Sequence, residues 1–447
     1  MNTPPYRGFV SADLEPEARR LYSDACAGGA AFLSGLTQPA EALKAPATRR
    51  AFVDAVHSGF ARAQELVGQR LLQLQQVPPK ARDGEHHHRE LLYRKAMDSV
   101  AWQILSLQLY AARRFYAGRD QPTLAHSNFE AVKLAATQIA ENHPQTFALI
   151  NDLTTFVQIG DLLVIDMANG ALQLVEVKEG EKNRQVAEFA DFFVKSRCAY
   201  ALKAFREREG EKTFQQLGRV LRQVERMKAV VKIMNEGTGT DPLLKMPIRI
   251  PENPVELDSY DDRLSELIER SDKDGWALDV IDECLFIGAY RSDARAWGHH
   301  AFQMWLGTCR ARSDFPVANL LRCMTTPLAL PLSCRHIPVD HGFDVLFDRC
   351  RVFLAIHLEE FAKRAQALGL PLVWTSKKHA RRLRAQGFSP LTVDGKAMVV
   401  RFPEAEVTVQ DGIALRMLFH GTTPDSTITL LGQPVGEPPE DPETGGA

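Results

Sequence analysis

At 447 residues the chain is long enough for two or three domains and a full hydrophobic core, which excludes a small scaffold held together by disulfides. Its 54 Lys and Arg nearly balance 56 Asp and Glu, so there is no global basic excess and any nucleic-acid surface has to be local. The seven scattered cysteines (Cys26, Cys198, Cys284, Cys309, Cys323, Cys334, Cys350) contain no Cys-x-x-Cys. With no apolar signal core and no run approaching the roughly 18 apolar residues of a membrane span, the chain reads as cytoplasmic with reduced thiols.

Helical spacing dominates from about residue 48 to 118, with Phe52, Val56, Phe60, Val67, Leu71 and Leu74 on one face. Pro78-Pro79 breaks the run, His86-His87-His88 reads as a polar loop, and a second helix is expected over about 90–114. Residues 1–120 are therefore expected to form a helical N-terminal domain. Ser127-Asn128-Phe129-Glu130 has the form of a capping box opening a helix that runs to about Glu141. Short apolar runs at 147–150, 156–159, 162–165 and 172–177 predict strands, and Asn169-Gly170 predicts a hairpin between the last two. Long helices are expected over about 185–208 and 211–234, divided by Gly210. The Pro- and Gly-rich stretch 236–275 reads as linker with a short helix at its end. Beyond it, strand-like pieces (276–290, 351–356, 372–374, 398–402, 407–409, 414–419) alternate with helical ones such as 358–368. The expected layout is a core over 121–300, a C-terminal α/β region over 301–432 and a disordered tail over 433–447.

The hairpin carries charges where strands should be apolar. With Asn169 and Gly170 central to a two-residue turn, opposed positions sum to 339, so Asp161 faces Lys178 and Leu163 faces Glu176. Period-two alternation then puts Asp161, Glu176 and Lys178 on one face and Asp166 on the other. Two carboxylates at a strand end suit a hard cation such as Mg²⁺ or Mn²⁺, and the ammonium suits an attacking water and a phosphate. The competing reading is a solvated hairpin with a cross-strand salt bridge. Apolar neighbours on both faces of the second strand favour a buried strand serving a site.

Gly160-Asp161 followed at the hairpin's far strand by Glu176-Val177-Lys178 resembles the signature of the PD-(D/E)XK nuclease superfamily, the restriction-endonuclease-like fold. The resemblance spans about 125–235 as an order of helix, strands, hairpin and helix. It implies a mixed sheet flanked by helices, in which Asp161 and Glu176 hold Mg²⁺ with the Val177 carbonyl and Lys178 positions the nucleophile. Glu130 is the better of two candidates for an acid contributed by the preceding helix, the other being Glu141. Gly160 stands where the family often has proline. The implied activity is metal-dependent hydrolysis of DNA, in a restriction, repair or anti-phage defence setting. A catalytically silent nucleic-acid-binding or assembly subunit and a protein-interaction scaffold are the alternatives.

Between Lys182 and Lys232 thirteen Lys or Arg stand against six acids. Lys182, Arg184, Gln216, Arg219, Arg222 and Gln223, with Gln215 and Arg226, are therefore expected to track a phosphate backbone. A second acid-free cluster holds Lys377, Lys378, Arg381 and Arg382. Cys334, His336 and His341 lack the paired spacing of a zinc site. No Gly-x-x-x-x-Gly-Lys-Ser/Thr motif occurs, so a pathway needing an NTP-driven motor would take it from a partner protein, and self-association is a further expected mode of control.

Overall fold

The computed structural model describes residues 12–178, 180–241, 247–250, 256–312, 314–403 and 406–433. The expected tail from 434 onward lies outside them, as does the Cys26 side chain. The described residues form two compact units, one over 18–250 and the other over 256–433 together with 12–17. The boundaries expected at 120 and 300 are therefore corrected. The helical N-terminal region and the hairpin share one unit, and residue 300 lies inside a helix of the other. Among the described residues no helix is long and apolar enough to cross a membrane.

The first unit opens with short helical pieces and then α1 (Pro46–Gln75), α2 (Gly84–Ile104) and α3 (Leu109–Phe115). The His86–His88 stretch, expected as loop, is the first turn of α2, because Asp83 caps it by accepting the His86 N–H at 3.0 Å. Next come α4 (Phe129–Asn142), β1 (Thr146–Ile150), β2 (Leu162–Asp166) and β3 (Leu172–Val175), followed by α5 (Glu181–Ser196) and α6 (Ala199–Glu236). The first long helix stops earlier than its spacing predicts, at a left-handed Arg197. Gly210 does kink the second, with φ 78° and ψ 167°, a region only glycine occupies readily. A short hairpin of β4 (Thr238–Thr240) and β5 (Pro247–Arg249) closes the unit.

The central sheet has the order β1-β2-β3 and is wholly antiparallel, so the expected mixed sheet is corrected. Both edges are occupied by side-chain amides, which is why it stops at three strands. Gln64 of α1 brackets β1, donating to the Ala148 carbonyl and accepting the Ile150 N–H at 3.2 and 2.8 Å. Asn235 of α6 does the same for Leu172 of β3, with both bonds at 3.0 Å. Edge groups satisfied in this way offer no template for a further strand. β3 is thus a half-buried edge strand, and the fully buried one expected from its composition is β1.

The expected strand at 156–159 is also absent. That segment belongs to a buried connector between β1 and β2 whose backbone groups are met by side chains. Asn151 donates to the carbonyls of Ile159 and Gly160, Asp98 accepts from the Thr155 N–H and hydroxyl, and Arg94 donates to the Asp152 carbonyl. The buried Lys95–Asp98 ion pair, at 3.0 Å, anchors this arrangement to α2.

The second unit contains α7 (Asp261–Asp274), β6 (Trp276–Ile281), β7 (Leu285–Arg291), α8 (Ala294–Thr308), β8 (Val317–Asn319), α9 (Val339–Leu346) and β9 (Cys350–Ile356). Its sheet order is β6-β7-β9-β8, antiparallel throughout, with Phe286, Tyr290, Phe302 and Phe353 packed between sheet and α8. After α10 (Leu358–Ala367) a smaller antiparallel sheet joins β10 (Leu372–Trp374), β11 (Thr392–Val393), β12 (Lys396–Arg401) and β13 (Glu406–Thr408), with α11 (Lys377–Ala385) against it. The chain ends in α12 (Asp411–Phe419) and α13 (Pro424–Leu431). α12 replaces the strand expected at 414–419, its buried Ala414, Met417 and Leu418 following helical spacing.

Candidate active site

The β2–β3 hairpin is built on a longer loop than Asn169-Gly170 predicts. Asp166 opposes Ala171, its carboxylate accepts the Ala168 N–H at 2.8 Å, and its carbonyl accepts from Gly170, which sits at φ 71°. An aspartate that can close such a turn on its own backbone displaces the two-residue alternative. Opposed positions therefore sum to 337, as in Leu163 opposite Leu174, and Asp161 comes level with Glu176, where Lys178 was expected. A slip of two residues keeps each side chain on its face, so the grouping of Asp161, Glu176 and Lys178 survives the correction.

The three charged groups lie just beyond the last ladder pair, where the Asp161 carboxylate replaces the ladder. Its Oδ2 accepts the Val177 N–H at 2.6 Å, while its own N–H donates to the Val175 carbonyl at 2.9 Å. Gly160 permits this geometry: its φ is 72°, and a Cβ there would stand 3.2 Å from the Val175 carbonyl oxygen. Lys178 Nζ donates to Glu176 Oε1 at 2.5 Å, and Gln223 of α6 donates to Glu176 Oε2 at 2.6 Å. A cleft of about 500 Å³ opens over the group, with Asn128, Gly180, Asn183 and Gln216 also on its wall.

Burial raises the Asp161 carboxyl to about 6, with the neighbouring Glu176 charge adding to the rise and the Val177 N–H bond opposing it. Asp152, on the turn after β1, is raised by burial as well; Arg94 opposes the rise and Glu176 adds to it. Asp152 was missed in the sequence because it ends an apolar run in what reads as loop. Its adjacency to the strand end was the available signal.

The oxygen-rich set fits a hard cation in part. Among the described residues nothing hydrogen-bonds to Asp161 Oδ1, and each Glu176 oxygen carries one bond where a carboxylate can accept two. The half-buried like charges of Asp161 and Glu176 also favour a cation between them. The Val177 carbonyl accepts from the Asn128 amide at 2.8 Å, so it offers only its second lone pair. That amide comes from the expected capping box, which does not form: the Asn128 side chain makes no cap bond and Ser127 instead donates to the Leu124 carbonyl. Glu130 is exposed on α4 and does not line the cleft; Glu141 lines a different pocket beside His57. Among the described residues no three His, Cys, Asp or Glu side chains converge as a metal site, the Cys334, His336 and His341 group included.

The expected nucleic-acid contacts separate into two sets. Lys182 pairs with Glu209 and Arg184 with Glu181, both on the exposed surface. Gln216 lines the cleft and donates to Asn183 at 2.5 Å, Gln223 is turned to Glu176, and Gln215 is exposed. Arg219 and Arg222, both exposed on the later half of α6, have no ion pair among the described residues. Lys377, Lys378, Arg381 and Arg382 are exposed on α11, in the other unit, where Ala380 and Leu383 face its core. Comparison with models of known families, with curated proteins and with solved structures finds no match to this chain.

Proposed function

We propose that the chain is a metal-dependent nuclease that hydrolyses phosphodiester bonds in DNA, with its active site at the cleft over β2 and β3. The observation that carries this reading is the convergence of Asp161, Glu176 and Lys178 at the end of one hairpin, on the wall of one cleft. Asp161 and Glu176 would hold Mg²⁺ or Mn²⁺, with the second lone pair of the Val177 carbonyl. Such a cation supplies Lewis-acid polarisation of the phosphate and a more acidic water. Glu176 Oε1 fixes the Lys178 ammonium beside that position, where it orients the nucleophile and stabilises charge developing on phosphorus-bound oxygen. Gln223 locks the rotamer of Glu176 from behind. The cleft wall includes Gly180 and Asn183, at the start of the sixteen-residue α5, and a helix N-terminus favours an anion. Arg219 and Arg222 supply uncommitted positive charge on the neighbouring helix.

A second reading, a catalytically silent DNA-binding or assembly subunit acting with a regulatory or motor partner, draws on one observation. Among the described residues the site's acids lack a third converging ligand, and its carbonyl is engaged by Asn128. Cleavage of circular and linear DNA by the purified full-length chain in Mg²⁺ or Mn²⁺ separates the two. Cutting lost in folded Glu176→Ala and Lys178→Ala proteins is the expected result. Salt-sensitive binding without cutting, under either metal, would establish the silent subunit.

A further inference from the structure

One turn beyond Gln223, α6 carries a guanidinium that no described residue neutralises. Arg226 is half-buried; its Nε and Nη2 are shielded from solvent and make no hydrogen bond, and it has no ion pair among the described residues. Nη1 is the nitrogen left facing outward. Other shielded arginines of this chain are matched by acids, as Arg94 is by Glu90 and Arg335 by Asp261. An orphaned guanidinium costs stability and is retained where a ligand completes it.

Its position is set by its neighbours. Gln223, three residues before, reaches Glu176, and Met227, the next residue, packs 3.5 Å from where a Gly160 Cβ would be. Arg226 therefore sits on the flank of α6 beside the end of the hairpin. A second guanidinium is near: Arg119, exposed, donates to the Gln158 carbonyl at 2.8 Å. Burial lowers the Arg226 pKa and the Arg119 charge adds to that, while the Arg119 field also reaches Asp152. A half-buried cation with no ion pair among the described residues, on the helix that also supplies Gln223 to Glu176, favours an anionic ligand beside that group of carboxylates.

We propose that Arg226 forms a phosphate subsite flanking the Asp161–Glu176–Lys178 cleft and takes a phosphate of the nucleic acid next to the one that is cut. This deepens, and rests on, the nuclease reading. A phosphate oxygen meets the outward Nη1 and neutralises the guanidinium charge, while Nε and Nη2 stay shielded. The shared chemistry is the phosphate oxyanion, from an internal diester or from a terminal monophosphate.

The test uses the full chain with Arg226→Met and Arg226→Lys, and labelled DNA in Ca²⁺ over a series of salt concentrations. The DNA is a closed circle and a linear duplex carrying either a 5′-phosphate or a 5′-hydroxyl. Arg226→Met should bind about tenfold more weakly, with a log–log salt slope shallower by about 1. Arg226→Lys should keep the slope and lose part of the affinity. A loss common to the circle and both linear forms assigns the internal diester; a loss confined to the 5′-phosphate form assigns the end. Because the side chain has no partner to lose, Arg226→Met should melt no lower than wild type. Wild-type affinity and slope in Arg226→Met overturn the subsite. So does a lower melting temperature in Arg226→Met that Arg226→Lys restores, which marks a structural cation. If wild type cuts and Glu176→Ala does not, either result leaves the nuclease reading intact. If wild type cuts nothing yet Arg226→Met weakens binding as stated, the subsite stands and hydrolysis falls.

Discussion

Asp161 is where the cost of the site is concentrated. An aspartate titrates near 3.9 in an unfolded chain, and here burial beside Glu176 brings it to about 6. The folded protein therefore binds this proton more tightly than the unfolded chain does. The group's contribution to stability is most favourable below about pH 4, is lost as pH rises towards 6, and stays a constant penalty above that. Asp161→Asn keeps an acceptor for the Val177 N–H but cannot ionise. In EDTA it should match wild type at pH 4 and exceed it by about 2 kcal/mol at pH 7.5 by urea denaturation. Equal stability at pH 7.5 would mean that the carboxylate is not penalised by its surroundings. Gln223 acts one step removed, through Glu176 Oε2. Gln223→Ala should lower activity or metal affinity by about 10- to 100-fold while leaving the fold intact by circular dichroism. Raised metal should recover much of the loss if the defect is in Glu176 placement. The carboxylates and lysine were legible in the sequence because they interrupt an apolar hairpin. Asn128 and Asp152 were not read as site residues, and Gln223 was expected along a phosphate backbone, not on Glu176, because each reaches the site from an element whose approach depends on the fold.

At the scale of elements, the site depends on how the hairpin ends. Gly160 sits in a left-handed conformation against the Val175 carbonyl, so a side chain there meets both strain and a close contact. Gly160→Ala should lose about 1 to 2 kcal/mol and weaken any stabilisation by Mg²⁺, read as the melting temperature with and without the ion. An unchanged metal response would show that Asp161 keeps its place without the tight turn. The kink at Gly210 has a different origin, since there is open space around it and only its backbone angles require glycine. The kink lets the two parts of α6 fold against α5, where Phe205 stacks on Phe189 at 4.1 Å and Leu217 joins the same core. Helix periodicity and glycine placement made this pair of helices visible in the sequence. Their exact ends were not, because Arg197 takes a left-handed cap that arginine does not advertise. The hairpin register was missed by two residues for a similar reason: a two-residue Asn-Gly turn and an aspartate-closed loop compete, and local chemistry alone does not rank them.

For the molecule as a whole, charge is distributed unevenly in a nearly neutral chain. Acids on α5 and early α6 neutralise Lys182, Arg184, Lys195 and Arg206, whereas Arg219 and Arg222 have no ion pair among the described residues. The other exposed cationic surface is α11, in the separate C-terminal unit. If both contact the same DNA, replacing Lys377, Lys378, Arg381 and Arg382 together by Ala should make the salt dependence of binding shallower by about 2 or more. The melting temperature should stay unchanged, since these side chains are exposed. An unchanged slope would assign α11 to another partner or to plain solvation.

The sequence by itself determined which residues form the chemical group and which face of the hairpin they share, because side-chain alternation follows from backbone geometry and survives a two-residue slip. It also determined the helical character of the N-terminal region, through apolar periodicity. Only the tertiary structure decided that the sheet has three antiparallel strands, because Gln64 and Asn235 reach its edges from distant helices. It likewise decided that the Asn128 amide meets the Val177 carbonyl, that Glu130 stays outside the cleft, and that Arg226 is half-buried with no ion pair among the described residues. These are contacts between segments tens of residues apart. Their partners are chosen by packing of the whole unit, which no local pattern encodes.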